Sequence, residues 1–142
     1  MKEVRHTGIA VSDLKRSLHF YEDLLGLQKV KTMTESGKYL DKVLGFKGVK
    51  VTTIKLSSDN GSLIELLYFF SPKSNSACNN LFNLGLTHIA FTVNDIEQEY
   101  KKLSEAGIVF TTVPQFSPDG CAKVAFCHGP DGEWLELVEV IK

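Results

Sequence analysis

Two histidines and two glutamates occupy matching places in an internal repeat. The repeat pairs residues 6–14 with residues 88–96, and residues 60–66 with residues 131–137. In this alignment His6 matches His88, and Glu65 matches Glu136. Imidazole nitrogens and carboxylate oxygens are ligands that proteins use for divalent transition metals. The sequence therefore predicts a metal site built from His6, Glu65, His88 and Glu136.

Predicted strands would bring these side chains to one side of a sheet, because alternate residues of a strand share a face. On that face the histidines are followed by small residues, namely Gly8 and Ala10 after His6, and Ala90 and Thr92 after His88. The glutamates lie within apolar strands, where a carboxylate is costly unless charge or hydrogen bonds compensate it. A single strand histidine or glutamate is usually structural or solvent-facing. The same register in both halves favours a shared ligand instead.

Both halves show the same order of elements. Strands are predicted at 4–11 and 87–93, followed by amphipathic helices that begin at Ser12 or Asp13 and at Asn94 or Asp95. Gly26 and Gly107 suit the left-handed residue after a helix end. Three strands then follow in each half, at about 27–32, 49–57 and 63–70, and at about 109–113, 122–128 and 134–141. Asn60-Gly61 and Asp131-Gly132 predict tight turns.

This order predicts an α+β fold of two βαβββ modules in tandem. Module one covers about residues 1–70 and module two about residues 84–142, joined by the polar linker 71–83. The modules are expected to form a single domain over residues 1–142. The extra length of the first half falls in 33–50, which contains three glycines and several apolar residues. This segment is predicted to close over a ligand.

The composition argues against several classes of partner. Sixteen Lys and Arg balance seventeen Asp and Glu, leaving a net charge of −1, so no nucleic-acid or membrane surface is expected. No apolar run approaches the roughly 20 residues of a transmembrane helix. The N-terminus is charged where a signal peptide needs an apolar core. Cys78, Cys121 and Cys127 lack CxxC spacing and are interpreted as free, unreactive thiols in a cytoplasmic protein.

Three segments contain recognisable sequence motifs: His6-Thr-Gly-Ile-Ala-Val-Ser-Asp-Leu, Leu86-Thr-His-Ile-Ala-Phe-Thr-Val-Asn-Asp-Ile and Gly129-Pro-Asp-Gly-Glu-Trp-Leu-Glu-Leu-Val. Together they resemble the vicinal oxygen chelate superfamily, which includes glyoxalase I, methylmalonyl-CoA epimerase, extradiol dioxygenases and the fosfomycin and bleomycin resistance proteins. The resemblance covers roughly residues 4–140 and is nearest to the glyoxalase I and methylmalonyl-CoA epimerase-like members.

The resemblance implies a cup-like, eight-stranded mixed sheet around one divalent ion per chain, usually in a homodimer. By position the ligands again fall on His6, Glu65, His88 and Glu136, and the ion would be Zn, Ni, Co or Mn. It further implies a small-molecule substrate whose enolate the metal stabilises, while Glu65 or Glu136 moves a proton next to a carbonyl. Returning the proton to the opposite face gives an epimerase. Returning it to the adjacent carbon gives a glyoxalase-type isomerase or lyase.

Alternatives within the superfamily stay open. Methylmalonyl-CoA epimerases often have Gln where this chain has Glu65, although residues 37–50 resemble epimerase-like members, including cyclitol epimerases. An extradiol dioxygenase would use two histidines and one carboxylate with open positions, whereas four ligands are available here. A drug-binding resistance protein would need no metal. Substrate-pocket residues are predicted at Tyr39, Phe46, Leu63, Leu67 and Trp134.

Overall fold

The strands of the first half form one four-stranded mixed sheet. The computed structural model describes residues 1–75 and 80–141. Its first unit, Met1–Ser76, has the order β1 (Thr7–Ala10), α1 (Leu14–Leu18), β2 (Gln28–Ser36), α2 (Lys38–Leu44), β3 (Lys50–Ser57) and β4 (Leu63–Ser71). The strands are arranged β1-β4-β3-β2, with β1 parallel to β4 and the other pairs antiparallel. Helix α1 continues as a π-helical segment, His19–Leu24.

The second half repeats this arrangement. The unit Ala77–Lys142 has the order β5 (His88–Thr92), α3 (Ile96–Glu105), β6 (Gln115–Phe116), β7 (Ala122–His128) and β8 (Trp134–Val140). Its sheet has the order β5-β8-β7-β6, again with a parallel first pair. The predicted α+β class with tandem βαβββ modules is therefore confirmed. Cys78 and residues 76–79 of the predicted linker lie outside the described residues.

The helices that follow β1 and β5 begin at the aspartates considered in the sequence. The Asp13 carboxylate accepts a hydrogen bond from Arg16 N at 3.0 Å, and the Asp95 carboxylate accepts one from Gln98 N at 2.9 Å. Each bond satisfies a backbone donor that the first helical turn leaves open. Past the helix ends, Gly26 and Gly107 have φ of +77° and +86°, a backbone conformation that favours glycine. None of the described helices is long and apolar enough to cross a membrane.

The hairpins before β4 and β8 have the same geometry. Ser58 N donates to Ser62 O and Gly61 N donates to Ser58 O, while Gly61 has φ of +84°. Gly129 N donates to Glu133 O and Gly132 N donates to Gly129 O, again with φ of +84° at the glycine. Three-residue hairpins of this kind need a left-handed residue, for which glycine is best suited. The identical turns give β4 and β8 the same starting point relative to β3 and β7.

Helices α1 and α3 each pack against one face of their own sheet. In the first unit α1 lies against β4, whose buried side chains are Ile64 and Leu66. In the second unit the buried side chains of β8 are Leu135 and Leu137, with Ile96 and Leu103 of α3. The alternate residues of β4 and β8, among them Glu65 and Glu136, consequently lie on the opposite face. We call this second face the open face of each unit.

The structure corrects two predicted segments. Residues 109–113 are not a strand: they make only a bridge between Phe110 and Cys127, and a two-residue strand follows at Gln115–Phe116. Pro114 interrupts the ladder because it has no N–H to donate. In the first unit β2 extends to Ser36, beyond the predicted end at 32, and is followed by α2, which was not predicted.

Candidate functional site

The same register positions the histidine and glutamate of each unit. Gly8 on β1 lies opposite Glu65 on β4, and Ala90 on β5 lies opposite Glu136 on β8. Each histidine stands two residues before that small residue and therefore on the same face, diagonal to the glutamate. A Cβ at Gly8 would lie 3.1 Å from Leu67 Cδ1, so this part of the open face has little spare room.

In the first unit the imidazole and the carboxylate are in direct contact. His6 Nε2 lies 3.0 Å from Glu65 Oε2, and the exposed fractions of the two side chains are 33% and 13%. The carboxylate is thus mostly covered, while the imidazole remains reachable from solvent. The burial of Glu65 is compensated by this contact, as the sequence argument required.

The second unit repeats the contact. His88 Nε2 lies 3.1 Å from Glu136 Oε2, with exposed fractions of 34% and 20%. The other ring nitrogen, His88 Nδ1, lies 2.8 Å from Thr87 Oγ1. A partner on the second nitrogen restricts how the ring can rotate, which is a common way to orient a histidine ligand. The two His–Glu pairs therefore match in distance, register and burial.

The donor set fits a divalent metal as well as it fits a hydrogen bond. Ligand atoms about 2.1 Å from a metal and at right angles to each other are about 3.0 Å apart, which is the separation found in both pairs. Within residues 1–75 and 80–141, no group of three or more His, Cys, Asp or Glu side chains is placed to hold a metal ion. The structure thus assembles the predicted ligands as one pair in each unit. Their joint coordination of a single ion stays a prediction.

The two pairs differ in the residue directly across the sheet from the glutamate. Lys55 on β3 lies opposite Glu65, with its Nζ 3.8 Å from Glu65 Oε1. Phe126 on β7 lies opposite Glu136. Sequence reasoning did not single out either residue. The internal alignment makes Lys55 and Phe126 equivalent positions, because the spacing that aligns Glu65 with Glu136 also aligns these two residues, but it does not show which residues they face across the sheet.

Aromatic rings surround the second pair. The Phe126 ring centroid lies 5.3 Å from that of His88 and 6.4 Å from that of Trp134, both in edge-on geometry. His128 packs against Trp134 at 4.0 Å and places Nδ1 3.3 Å from Gly132 O. Edge-to-face packing of this kind is the favoured arrangement of aromatic rings. Glu136 consequently lies beside an apolar aromatic surface, unlike Glu65.

The predicted pocket residues fall into two groups. Leu63 and Leu67 share the open face with Glu65, and Trp134 shares it with Glu136, as strand alternation required. Tyr39 on α2 and Phe46 just after it are instead 77% and 64% exposed. A role for any of the five predicted residues in binding substrate stays a prediction.

The buried cysteine of the second unit is unsuited to nucleophilic catalysis. Cys127 is fully buried, and the loss of solvation together with the nearby charge of Glu133 raises the pKa of its thiol to about 12. A thiol with so high a pKa is not ionised at neutral pH and is therefore a poor nucleophile. His19 lies at the surface, where its Nδ1 contacts Asp23 Oδ2 at 2.8 Å.

Comparison with known proteins places this geometry in context. A family model described as the Glyoxalase/Bleomycin resistance protein/Dioxygenase superfamily matches residues 3–137. The probable lactoylglutathione lyase of Vibrio parahaemolyticus is 28% identical over 138 residues, which cover 96% of this chain and 89% of that protein. The lactoylglutathione lyase of Schizosaccharomyces pombe is 29% identical over 96% of this chain, and the alignment spans about half (47%) of its length.

A solved structure shows the same fold. A glyoxalase family protein from Bacillus cereus superposes with a TM-score of 0.90 over 100% of this chain and 96% of its own, at 22% identity.

Proposed function

Because the chain belongs to the glyoxalase/bleomycin resistance protein/dioxygenase superfamily, we propose that it is a metal-dependent isomerase or lyase of the glyoxalase type. The observation that carries this proposal is the pair of His–Glu contacts, made at the same register in both units. The relatives named lactoylglutathione lyase support the lyase form over the epimerase form. Lactoylglutathione is a thioester of a 2-hydroxy acid, so the proposed substrate is the adduct of a 2-oxoaldehyde with a thiol.

We propose that His6, Glu65, His88 and Glu136 together hold one divalent ion, namely Zn, Ni, Co or Mn. Two carboxylates and two neutral imidazoles balance the charge of such an ion, and the mixed nitrogen and oxygen donors suit several of these metals. When bound, the ion would polarise a carbonyl oxygen of the substrate and stabilise negative charge there.

The glutamates are proposed to move the proton. In the adduct, the carbon that bears sulfur, hydroxyl and hydrogen stands next to a carbonyl carbon. A carboxylate oxygen of Glu65 or Glu136 takes the C–H proton and delivers it to the adjacent carbon, while the hydroxyl proton moves to the former carbonyl oxygen. The product is the 2-hydroxy thioester, with no atom gained or lost. Delivery to the opposite face of the same carbon would instead be epimerisation.

Elemental analysis and a thioester assay test the proposal together. We expect wild-type protein to bind divalent metal saturably and to convert the methylglyoxal–glutathione adduct to its thioester. The ultraviolet absorbance of the thioester measures this conversion. His6→Ala and His88→Ala should each weaken metal binding and activity by at least about 100-fold, since each removes a ligand. The surface variant His19→Ala is the matched control and should change neither. Absence of saturable metal binding would favour a metal-independent drug-binding protein, and unaltered histidine variants would refute the ligand assignment.

A further inference from the structure

We propose that Lys55, together with Lys31, forms a subsite for an oxyanion of the substrate on the open face of the first unit. The inference rests on the proposed function, which makes the Glu65 face the reaction face. Lys55 lies directly across from Glu65, and its side chain is 26% exposed. An ammonium group at this place is partly shielded from water yet reachable by a ligand.

The contact with Glu65 leaves the lysine available. Its Nζ–Oε1 distance of 3.8 Å exceeds the roughly 2.7–2.9 Å of a charge-assisted hydrogen bond. Glu65 directs its other oxygen, Oε2, at His6. The carboxylate therefore attracts Lys55 without holding it by a close hydrogen bond, and the ammonium hydrogens can be donated to another oxygen.

A second lysine completes the row. Lys31 on β2 is exposed and lies directly opposite Lys55, just beyond the irregular step of the ladder between Lys29 and Lys31. Like charges directly opposite each other destabilise a sheet. One carboxylate, Glu65, offsets only one of the two positive charges in this three-strand row. A divalent ion coordinated by Glu65 would neutralise the carboxylate, so that the charges of both lysines would be compensated by an anionic ligand.

The second unit shows that the lysine is not required by the His–Glu pair itself. The residue at the place of Lys55 is Phe126, which packs its ring edge-on to His88 and Trp134. The His88–Glu136 contact is nevertheless as short as its counterpart. Among the described residues, the cationic row has no counterpart at the equivalent positions of the second unit, as expected for residues that select the charge of the substrate. The ligand of this subsite is a carboxylate or phosphate group on the thiol-derived part of the substrate adduct.

Kinetics with two matched adducts provide the first test. Methylglyoxal is combined with 3-mercaptopropionate, which carries a carboxylate, or with neutral 2-mercaptoethanol. Lys55→Met should raise KM for the carboxylate adduct roughly five- to tenfold with kcat within about twofold, and should leave KM for the neutral adduct unchanged. Lys50→Met is the matched control, because it removes the same charge from the same strand at a lysine that lies over Phe70. This variant should have the wild-type KM for both adducts. An equal KM increase for both adducts, or for Lys50→Met, would overturn the inference.

A binding experiment separates this inference from the proposed reaction. Inorganic phosphate and succinate are titrated into the purified protein, and the amide signals of Lys31 and Lys55 are followed by NMR. Saturable shifts that are lost in Lys31→Met and Lys55→Met but kept in Lys50→Met would support the subsite even if neither adduct is turned over. In that case only the proposed function fails. The tighter anion identifies the group recognised, and no saturable shift with either one overturns the subsite.

Discussion

Glu65 and Glu136 hold the same place in their units but have different neighbours. Glu65 lies near a lysine, whereas Glu136 lies beside the rings of Phe126 and Trp134. In both glutamates one carboxylate oxygen contacts the Nε2 atom of a histidine. Equivalent positions with unlike surroundings allow one carboxylate to take a proton while the other remains a ligand.

Replacing either glutamate by glutamine separates metal binding from proton transfer. Glutamine keeps the size of the side chain and one coordinating oxygen but cannot act as the base. We expect Glu65→Gln and Glu136→Gln to retain much of the metal, while the variant that lacks the base loses about 10²–10⁴-fold in solvent-deuterium exchange at the substrate carbon. Mass spectrometry of the product measures this exchange. Glu99→Gln, on α3 beside Lys102 and away from the His88–Glu136 pair of its unit, is the control. If both test variants exchange the proton at the wild-type rate, the glutamates are ligands only.

At the scale of elements, the segment around α2 combines an exposed helix with a hydrogen-bonded connection to β3. The helix itself buries no residue, and it begins after Gly37, whose φ is +108°. The helix is held to the chain that enters β3, because the Asp41 carboxylate accepts hydrogen bonds from Gly48 N and Val49 N, both at 2.8 Å. These backbone bonds hold the pKa of Asp41 below its ordinary value. The predicted closure of residues 33–50 over a ligand would move an exposed helix anchored next to β3.

The Asp41 anchor should weaken in acid. A carboxyl whose folded pKa is lowered contributes stability above its ordinary pKa of 3.8, and this stability is lost as pH falls through the lower, folded value. Hydrogen exchange, corrected for intrinsic rates, should therefore show that Gly48 and Val49 amides lose protection below about pH 4. Asp41→Asn should reduce their protection at neutral pH and remove this pH dependence. Asp59→Asn, in the turn before β4, is the control, and a pH response that persists in Asp41→Asn would contradict the assignment.

At the scale of the whole molecule, each unit supplies one sheet and one His–Glu pair. The proposed site uses both pairs for one ion, so binding should stabilise the whole chain against unfolding. Metal at 100 times its Kd adds about 2.7 kcal/mol to the free energy of unfolding, which raises Tm by roughly 5–10 °C for a chain of this size. We further propose that the protein is a homodimer, following the superfamily.

Thermal unfolding and metal stoichiometry test the joint site. One ion per chain is expected, and His6→Ala and His88→Ala should each abolish the metal-dependent rise in Tm. Two ions per chain, or one histidine variant that keeps half of the metal, would show that each pair binds independently. If the site is completed across a dimer, unfolding and refolding an equimolar mixture of the two variants should restore about a quarter of the wild-type sites. A site completed within one chain restores none.

Local physics made much of this protein predictable from its sequence. Asp13 and Asp95 were recognisable as helix starts, and Gly61 and Gly132 as turn residues, because caps and tight turns depend on a few neighbouring residues. The faces of His6 and Glu65 followed from strand alternation, which has a period of two residues. The repeat then extended each assignment to its counterpart.

Only the tertiary structure decided which side chains stand beside the glutamates. Lys55 and Phe126 are ten residues along the chain from their partners, and the register of each hairpin determines that they lie directly opposite. The pairing of His6 with Glu65 across a parallel ladder likewise joins residues distant in the chain. The irregular course of 109–113 depends on its pairing with β7 as well as on Pro114. Alternation determines the face of a strand residue, whereas its neighbour across the sheet depends on the register of pairing, which shifts with the type and length of each turn and, for the parallel pairs, with contacts between residues distant in the chain.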